Sequence, residues 1–201
     1  MRKITRTEKP LFLTNEKELE WGERYKKNRE EKGISFEFQW PKVEKVKLNQ
    51  KLLPVLRQIS QNHCFYCDAF PTEIIGESID HFKPKGNPLF YVDVCKWENL
   101  YLACKHCQDS KKEDYNELLL RPDEIDYDFE KYFEYNSISG EIDIKVNISE
   151  RDKEKAEATR RIFGFNQEKK IEDRKRFFRL WHIDPDREQQ IDTYNYRFMF
   201  D

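Results

Sequence analysis

The sequence predicts an α+β fold in which a small ββα core is surrounded by helices. Two observations predict the core: the cysteine pairs Cys64/Cys67 and Cys104/Cys107, and the short apolar runs of strand length that lie between and beside them. A third observation predicts the helices, because charged residues with apolar residues at helical spacing fill much of the C-terminal third.

The composition sets limits on this fold. The chain has 201 residues, 38% charged and 37% hydrophobic, so we expect a modest core to which the aromatic residues (14%) contribute much of the buried area. No stretch approaches the 18 or more apolar residues of a membrane span. Residues 1–4 also lack the apolar run of a secretory signal. We therefore expect a cytoplasmic protein without a membrane partner, in which cysteines bind metal rather than form disulfides.

We divide the chain into three regions. Residues 1–60 form an N-terminal segment of helix and strand, residues 61–122 the cysteine-bearing core, and residues 123–201 a hairpin followed by a helical region.

The N-terminal region begins with a possible short strand at residues 2–6. A helix is predicted from Asn15 to about residue 32, with Asn15 as N-cap and Glu18 completing a capping-box pattern. The alternating residues 36–40 predict a strand. Apolar residues at helical spacing predict an amphipathic helix over residues 46–61, which Pro54 kinks or shortens.

The core and the C-terminal region follow. A strand is predicted over residues 72–80, a loop and strand over 87–94, and the second cysteine pair with a following helix over 100–119. Beyond them, a hairpin is predicted from two strands, 132–135 and 141–146, and helices over 150–163, 168–182 and 186–198.

The charge is uneven although the net charge is only −2. Residues 113–134 hold nine acidic against two basic residues, and residues 151–180 hold eleven basic against six acidic ones. This asymmetry fits a protein that binds nucleic acid through one face, or that uses a partner's basic surface. Two ordinary solvated faces would give the same pattern.

The paired cysteines predict a structural zinc ion bound by Cys64, Cys67, Cys104 and Cys107. Each Cys-x-x-Cys turn lets two thiolates converge on one ion, and four thiolates leave no open position for catalysis. A redox dithiol is the remaining alternative. Cys95 lies in an apolar run and is predicted to be a buried thiol.

A candidate site lies between the two pairs. Asp80 and His81 place a carboxylate, which hard divalent ions prefer, beside an imidazole with a pKa near neutrality. These are the groups that hydrolysis of a phosphodiester needs. A buried amide such as Asn99 could fix the ring through a hydrogen bond. Three lysines could contact phosphates: Lys83, Lys85 and Lys111.

The order Cys-x-x-Cys, Asp-His-Phe-x-Pro-Lys, Trp-x-Asn-Leu, Cys-x-x-Cys resembles the HNH endonuclease family, which has a ββα-metal active site, in its zinc-knuckle form. The resemblance implies that His81 is the general base, that Asp80 binds a catalytic Mg²⁺ or Mn²⁺, and that Asn99 orients the base. Gln108 stands where the family has its final His or Asn, a second ligand of that ion. This is a departure, and the neighbouring Asp109 is an alternative ligand.

The resemblance extends to residues 1–4, 118–122 and 156–166, which are similar to the HNH nucleases of Septu anti-phage systems and of related retron cassettes. It implies a DNA-cleaving effector that acts with a partner ATPase of the ABC/SMC-like type. Two alternatives stay open. The same site could cleave RNA such as tRNA, or the chain could be a non-catalytic zinc module that binds nucleic acid or protein.

Overall fold

A computed structural model describes residues 1–70, 74 and 76–200 as a mixture of helices and two-stranded antiparallel sheets, which confirms the α+β prediction. The helices are α1 (Asn15–Lys32), α2 (Leu48–Ser60), α3 (Lys105–Lys111), α4 (Phe129–Tyr132), α5 (Glu150–Ile162) and α6 (Glu168–Ile183). The strands are β1 (Lys42–Val43), β2 (Val46–Lys47), β3 (Glu77–His81), β4 (Leu100–Cys104), β5 (Phe133–Tyr135) and β6 (Ile142–Ile144). Across these described residues, no helix has the length and apolarity to cross a membrane.

The N-terminal region is less regular than predicted. Helix α1 has the predicted bounds, but its N-cap is Thr14, whose hydroxyl accepts a hydrogen bond from the Lys17 amide at 3.4 Å. The helix ends at Gly33, where φ is 68°. The predicted strands at residues 2–6 and 36–40 are wrong, since neither segment pairs in a sheet.

Helix α2 confirms most of the predicted amphipathic helix. It begins at Leu48 rather than at residue 46, and Leu48, Leu52 and Leu56 are fully buried on one face. Pro54 lies inside the helix without ending it. The helix ends at Ser60, and the chain turns through Gln61, whose φ is 54°, three residues before Cys64.

The segment that positions the site is the pair β3–β4 followed directly by α3. The two strands are antiparallel, with Asp80 opposite Tyr101 and Glu77 opposite Cys104. All five residues of β4 are buried. Of the predicted strand at 72–80, residues 77–80 lie in β3, whereas residues 71–73 and 75 lie outside the described part of the chain. The register therefore places the Asp80–His81 pair on the strand that pairs with Cys104, one of the four cysteines predicted to bind zinc.

The C-terminal region contains the predicted hairpin, as β5 and β6, and two of the three predicted helices, as α5 and α6. The helix predicted over 186–198 is wrong, because this segment has only the 3₁₀ turns Ile191–Thr193 and Arg197–Met199. The strand predicted within 87–94 is also wrong, and a 3₁₀ helix, Pro88–Asp93, takes its place. One cluster of buried apolar side chains includes residues from all three predicted regions.

Candidate functional site

The four cysteines predicted to bind zinc converge. Their sulfurs all lie within 4.8 Å of one another, and every one of the four residues is buried. The Cys67 and Cys104 sulfurs are 3.6 Å apart. Zn–S bonds of about 2.3 Å in a tetrahedron require sulfurs about 3.8 Å apart. The four thiols therefore fit a zinc ion.

Local backbone geometry explains why they converge. In the first turn the Asp68 amide donates to the Cys64 carbonyl at 2.8 Å, and Asp68 has a φ of 58°. In the second, Cys104 ends β4 and Cys107 lies in the first turn of α3. The Cys104 amide donates to the Cys64 sulfur at 3.3 Å, which joins the two turns and stabilises negative charge on that sulfur.

Lys170 of α6 adds a positive charge to this cluster. Its ammonium lies 3.3 Å from the Cys107 sulfur and 2.7 Å from the Phe163 carbonyl, and the side chain is buried. Burial acts to lower the pKa of Lys170, but the cysteine sulfurs together raise it above its usual value. A zinc ion with four thiolates carries two net negative charges, so a buried cation here offsets part of them. The sequence offered no local signal for this contact.

Beside the zinc cluster lies an open cleft of about 350 Å³. Three of the predicted site residues on its walls carry the candidate chemistry: Asp80, His81 and Gln108. Lys85 lines it too, whereas the predicted Asn99, Lys83 and Lys111 do not. The other lining residues are Phe38, Trp40, Ser78, Ile79, Pro84, Lys112 and Glu113.

His81 is held in one orientation and one tautomer. Its Nε2 lies 2.9 Å from the Val94 carbonyl, and because a carbonyl only accepts, Nε2 must carry the hydrogen and Nδ1 must be the basic nitrogen. Trp40 stacks on the ring at 5.4 Å between centroids, and Phe38 meets it edge-on at 5.2 Å. Burial is the main cause that lowers the pKa of His81 to about 3, with Lys85 adding to it, so the ring is neutral.

Asn99 does not bond to the histidine ring, so the predicted direct contact is wrong. Its amide nitrogen donates to the carbonyls of Asp93 at 2.9 Å and Lys83 at 3.2 Å, and its oxygen accepts from the Lys83 amide at 2.7 Å. It thereby ties the backbone just after His81 to the backbone just before Val94. Asn99 is thus linked to the ring only through the backbone, by way of Asp93 and the Val94 carbonyl.

The Asp80 carboxylate has one occupied and one open oxygen. Oδ2 accepts the Tyr66 hydroxyl at 2.7 Å and lies 3.2 Å from the Lys111 ammonium. No described residue donates a hydrogen bond to Oδ1. Burial raises the pKa of Asp80 above its usual value, although the positive charge of Lys111 acts to lower it. Tyr66, which lies inside the first cysteine turn, was missed by sequence reasoning.

Lys111 cannot contact nucleic acid, which corrects the prediction for this residue. Its side chain is 1% exposed, and its ammonium donates to the His81 carbonyl at 2.8 Å in addition to pairing with Asp80. Lys111 lies four residues after Cys107, on the same buried face of α3. Lys111 therefore contacts both Asp80 and His81 from a buried position outside the cleft lining.

Replacing Lys111 with methionine is expected to lower the free energy of unfolding by about 3 kcal/mol, because removal of one partner leaves the Asp80 carboxylate buried without its cation. The loss of free energy of unfolding stays at this size because the Tyr66 hydroxyl still donates to Asp80 and because the carboxyl can take up a proton. Denaturant unfolding measures it, and Lys112→Met, at an exposed position on the same turn, is the control with an expected change under about 0.5 kcal/mol. Equal stabilities for the two variants would contradict this role.

The remaining cations differ in their access to the cleft. The Lys85 ammonium is 3.5 Å from Glu113, and both residues are on the cleft wall. Lys83 faces elsewhere, since its ammonium lies 3.6 Å from Asp93 and 5.5 Å from the centre of the Phe90 ring. Lys112, exposed on the wall, is a further phosphate-contact candidate.

Gln108 lies on the cleft wall, where its side-chain oxygen could contact an ion. Its Oε1 accepts a hydrogen bond from the Ser78 hydroxyl, which leaves a second lone pair on this oxygen. Asp109 is exposed and pairs with Lys105 at 3.0 Å, so the alternative ligand points away from the cleft. Mg²⁺ is often bound by one or two carboxylates with phosphate and water completing its shell. The oxygens of Asp80 and Gln108 fit this sparse kind of site.

No family model matches the chain. Part of the chain is similar to a curated protein, the Septu protein PtuB of Bacillus mycoides (strain KBAB4). The two are 28% identical over 95 residues, which cover 42% of this chain and 30% of PtuB. The match thus spans less than a third of the relative's own length.

Proposed function

We propose that this chain is a metal-dependent HNH endonuclease that hydrolyses nucleic-acid phosphodiester bonds. The observation that supports it best is the state of His81, a neutral ring whose Nε2–H is fixed on the Val94 carbonyl and whose Nδ1 is left to accept a proton. The ring shares its cleft with an acidic oxygen donor and with exposed lysine side chains. This is the combination that attack of water on a phosphodiester requires.

In the proposed mechanism, His81 accepts a proton from the attacking water through Nδ1 as that water's oxygen bonds to phosphorus. The P–O bond to the leaving sugar oxygen breaks, and solvent in the open cleft supplies a proton to that oxygen. The Trp40 and Phe38 rings keep the imidazole from turning. Lys85 and Lys112 bind phosphate oxygens at the rim. The negative charge of a bound phosphate raises the pKa of the ring toward the range in which a general base is efficient. Asp80 and Gln108 would hold a Mg²⁺ or Mn²⁺ ion, which supplies charge neutralisation at the scissile phosphate when bound.

We further propose that the nuclease is the DNA-cleaving effector of an anti-phage defence system in the cytoplasm. The similarity to PtuB supports a Septu-like role, with a partner ATPase of the ABC/SMC-like type. The net charge of −2 supports the need for a partner, because affinity for nucleic acid comes mainly from phosphate neutralisation by basic residues.

The two alternatives predict different outcomes for the same site. An RNA nuclease would use the same side chains on a tRNA-like substrate. The non-catalytic zinc module is favoured by one contact, the Lys111 ammonium 3.2 Å from Asp80, which already balances the charge that a divalent ion would otherwise balance.

Ion dependence tests the proposal. We expect the purified chain, with its partner ATPase where cleavage requires it, to cut plasmid or oligonucleotide only when Mg²⁺ or Mn²⁺ is added. Gln108→Ala is expected to raise the half-saturating ion concentration about 10-fold, the usual scale for loss of a metal-site contact. Asp109→Ala, which alters the next residue of the same helix outside the cleft, is the control and should leave it unchanged.

Cleavage is measured on DNA and on RNA in parallel. Zinc content is measured in the same samples, because a gain of activity with Mg²⁺ or Mn²⁺ counts as catalytic only if the structural zinc is present throughout. Cutting of RNA alone would select the RNA alternative. Stoichiometric zinc with nucleic-acid binding but no cutting of either substrate, in the presence of the partner, would select the non-catalytic module.

A further inference from the structure

A second cavity, of about 280 Å³, adjoins the cleft and shares two of its walls, Phe38 and Trp40. We propose that this cavity binds an unpaired nucleobase of the substrate strand next to the scissile phosphate, so that the enzyme prefers single-stranded nucleic acid. The inference rests on the proposed nuclease function and assigns the substrate class of that same site. The aromatic walls of the cavity, the contacts that fix them, the polar groups at its rim and its place beside His81 support the inference.

The walls are aromatic. Besides the two shared rings, the side chains of Trp21, Tyr25 and Phe36 line the cavity. Aromatic faces bind nucleobases of any sequence by stacking, because every base presents a flat π face. An aliphatic pocket of this size would lack the flat faces on which a base stacks.

Hydrogen bonds and ring contacts hold these walls in place before any ligand binds. The Tyr25 ring meets Phe38 edge-on at 5.3 Å, and its hydroxyl donates to the Lys85 carbonyl at 3.0 Å. The Arg29 guanidinium donates to the Phe36 carbonyl at 3.1 Å and to the Tyr91 hydroxyl at 3.2 Å. Because the segment that carries Phe36 is fixed to α1 in this way, little conformational entropy is lost when a base enters.

The rim carries polar groups suited to the edge of a base and to its phosphate. The Gln39 side chain offers an amide donor and acceptor. Asn28 donates to the Arg24 carbonyl and accepts from Lys32, which leaves one amide hydrogen and one lone pair for a ligand. Arg24 and Lys42 offer positive charge. Amide and guanidinium groups read the Watson–Crick edge of a base only when the base is unpaired. The charge of the rim therefore complements a nucleotide, and its amides select an unstacked one.

The position of the cavity connects it to the chemistry. Trp40 stacks on the His81 ring and also lines the cavity, so a single indole lies between the proposed base site and the proposed general base. A phosphate in the cleft and a base in the cavity can thus belong to the same nucleotide, or to adjacent nucleotides, of one strand. A base in a duplex would first have to leave its stack, which weakens duplex binding relative to binding of a single strand.

Phe36→Ala tests the proposal, because Phe36 lines the cavity but not the cleft. Binding is measured on the full chain with His81→Gln as background, which leaves the strand uncut and keeps a side chain beside Trp40 that can donate to the Val94 carbonyl. The single-stranded oligonucleotides carry 2-aminopurine at successive positions. We expect fluorescence quenching at one position, affinity for that strand at least 10-fold above the matching duplex, and binding about 5- to 100-fold weaker after Phe36→Ala. Phe12→Ala, at a partly buried phenylalanine on neither wall, is the matched control and should leave binding unchanged.

The outcomes separate this inference from the proposed function. Equal affinity for single strand and duplex, or equal effects of Phe36→Ala and Phe12→Ala at matched thermal stability, would overturn the base site while ion-dependent cleavage by the unmodified chain still stood. Position-specific quenching that depends on Phe36, in a chain that cuts no substrate, would support the base site and reject the nuclease.

Discussion

Cys104→Ala is expected to abolish zinc binding and cooperative unfolding together. Cys104 supplies one of the four sulfurs and also ends the strand whose other residues pair with Asp80 and His81. Structural zinc contributes about 10–16 kcal/mol in small zinc-dependent folds, which matches or exceeds the whole stability of a typical domain, about 5–15 kcal/mol. Zinc analysis by mass spectrometry and a thermal melt measure the two losses.

Cys95→Ala is the matched control, because Cys95 is a buried cysteine that lies outside the cluster. Cys95→Ala likewise replaces a buried thiol with a methyl group, and the protein should retain stoichiometric zinc. Its free energy of unfolding should fall by about 1 kcal/mol. A Cys104→Ala protein that keeps both its zinc and its melting temperature would show that the four thiols do not bind an ion.

The parts of the site that the sequence predicts are those governed by short spacing. Two residues between cysteines suffice to bring the two sulfurs of each pair together, so each pair follows from its local turn. The meeting of the two pairs is a long-range contact, seen in the hydrogen bond from the Cys104 amide to the Cys64 sulfur. Asp80 and His81 are neighbours at the end of a strand, but successive side chains of a strand point to opposite faces, so their common cleft is a finding of the structure. The extents of α1, α5 and α6 follow from local sequence, as each cysteine pair does, although the N-cap of α1 is Thr14 rather than Asn15.

Lys111 shows where a residue type alone misleads. A lysine after the second cysteine pair suggests a phosphate contact, but its spacing of four from Cys107 places it on the buried face of α3. That spacing was the available signal, and it predicts a buried cation beside a buried acid. Asn99 differs, because no spacing indicates that its amide bonds to two backbone segments instead of to the ring.

Long-range contacts account for the remaining errors. Phe38 and Trp40 alternate as in a strand, yet they pack on a histidine some forty residues away and pair with no strand. The segment predicted as a helix over 186–198 is held by Arg197, whose guanidinium and backbone amide bond to Asp68 beside the first cysteine turn. Tertiary contacts of this kind override local helix propensity.

His81→Ala is expected to lower the cleavage rate by at least ~10²-fold, the usual contribution of a general base, while zinc content is retained. The truncated side chain leaves space beneath Trp40, so a thermal melt must accompany the rate measurement. His182→Ala, at an exposed histidine on α6, removes the same side chain away from the cleft and should leave the rate unchanged.

His81→Gln separates the base from the framework that holds it. Its side-chain amide can still donate to a carbonyl such as that of Val94, but it has no nitrogen that accepts a proton near neutral pH. We therefore expect the glutamine variant to melt close to the unmodified protein and to cut as slowly as the alanine variant. Full activity in a folded His81→Gln protein would remove this imidazole from the chemistry, since the glutamine amide cannot accept the proton of the attacking water.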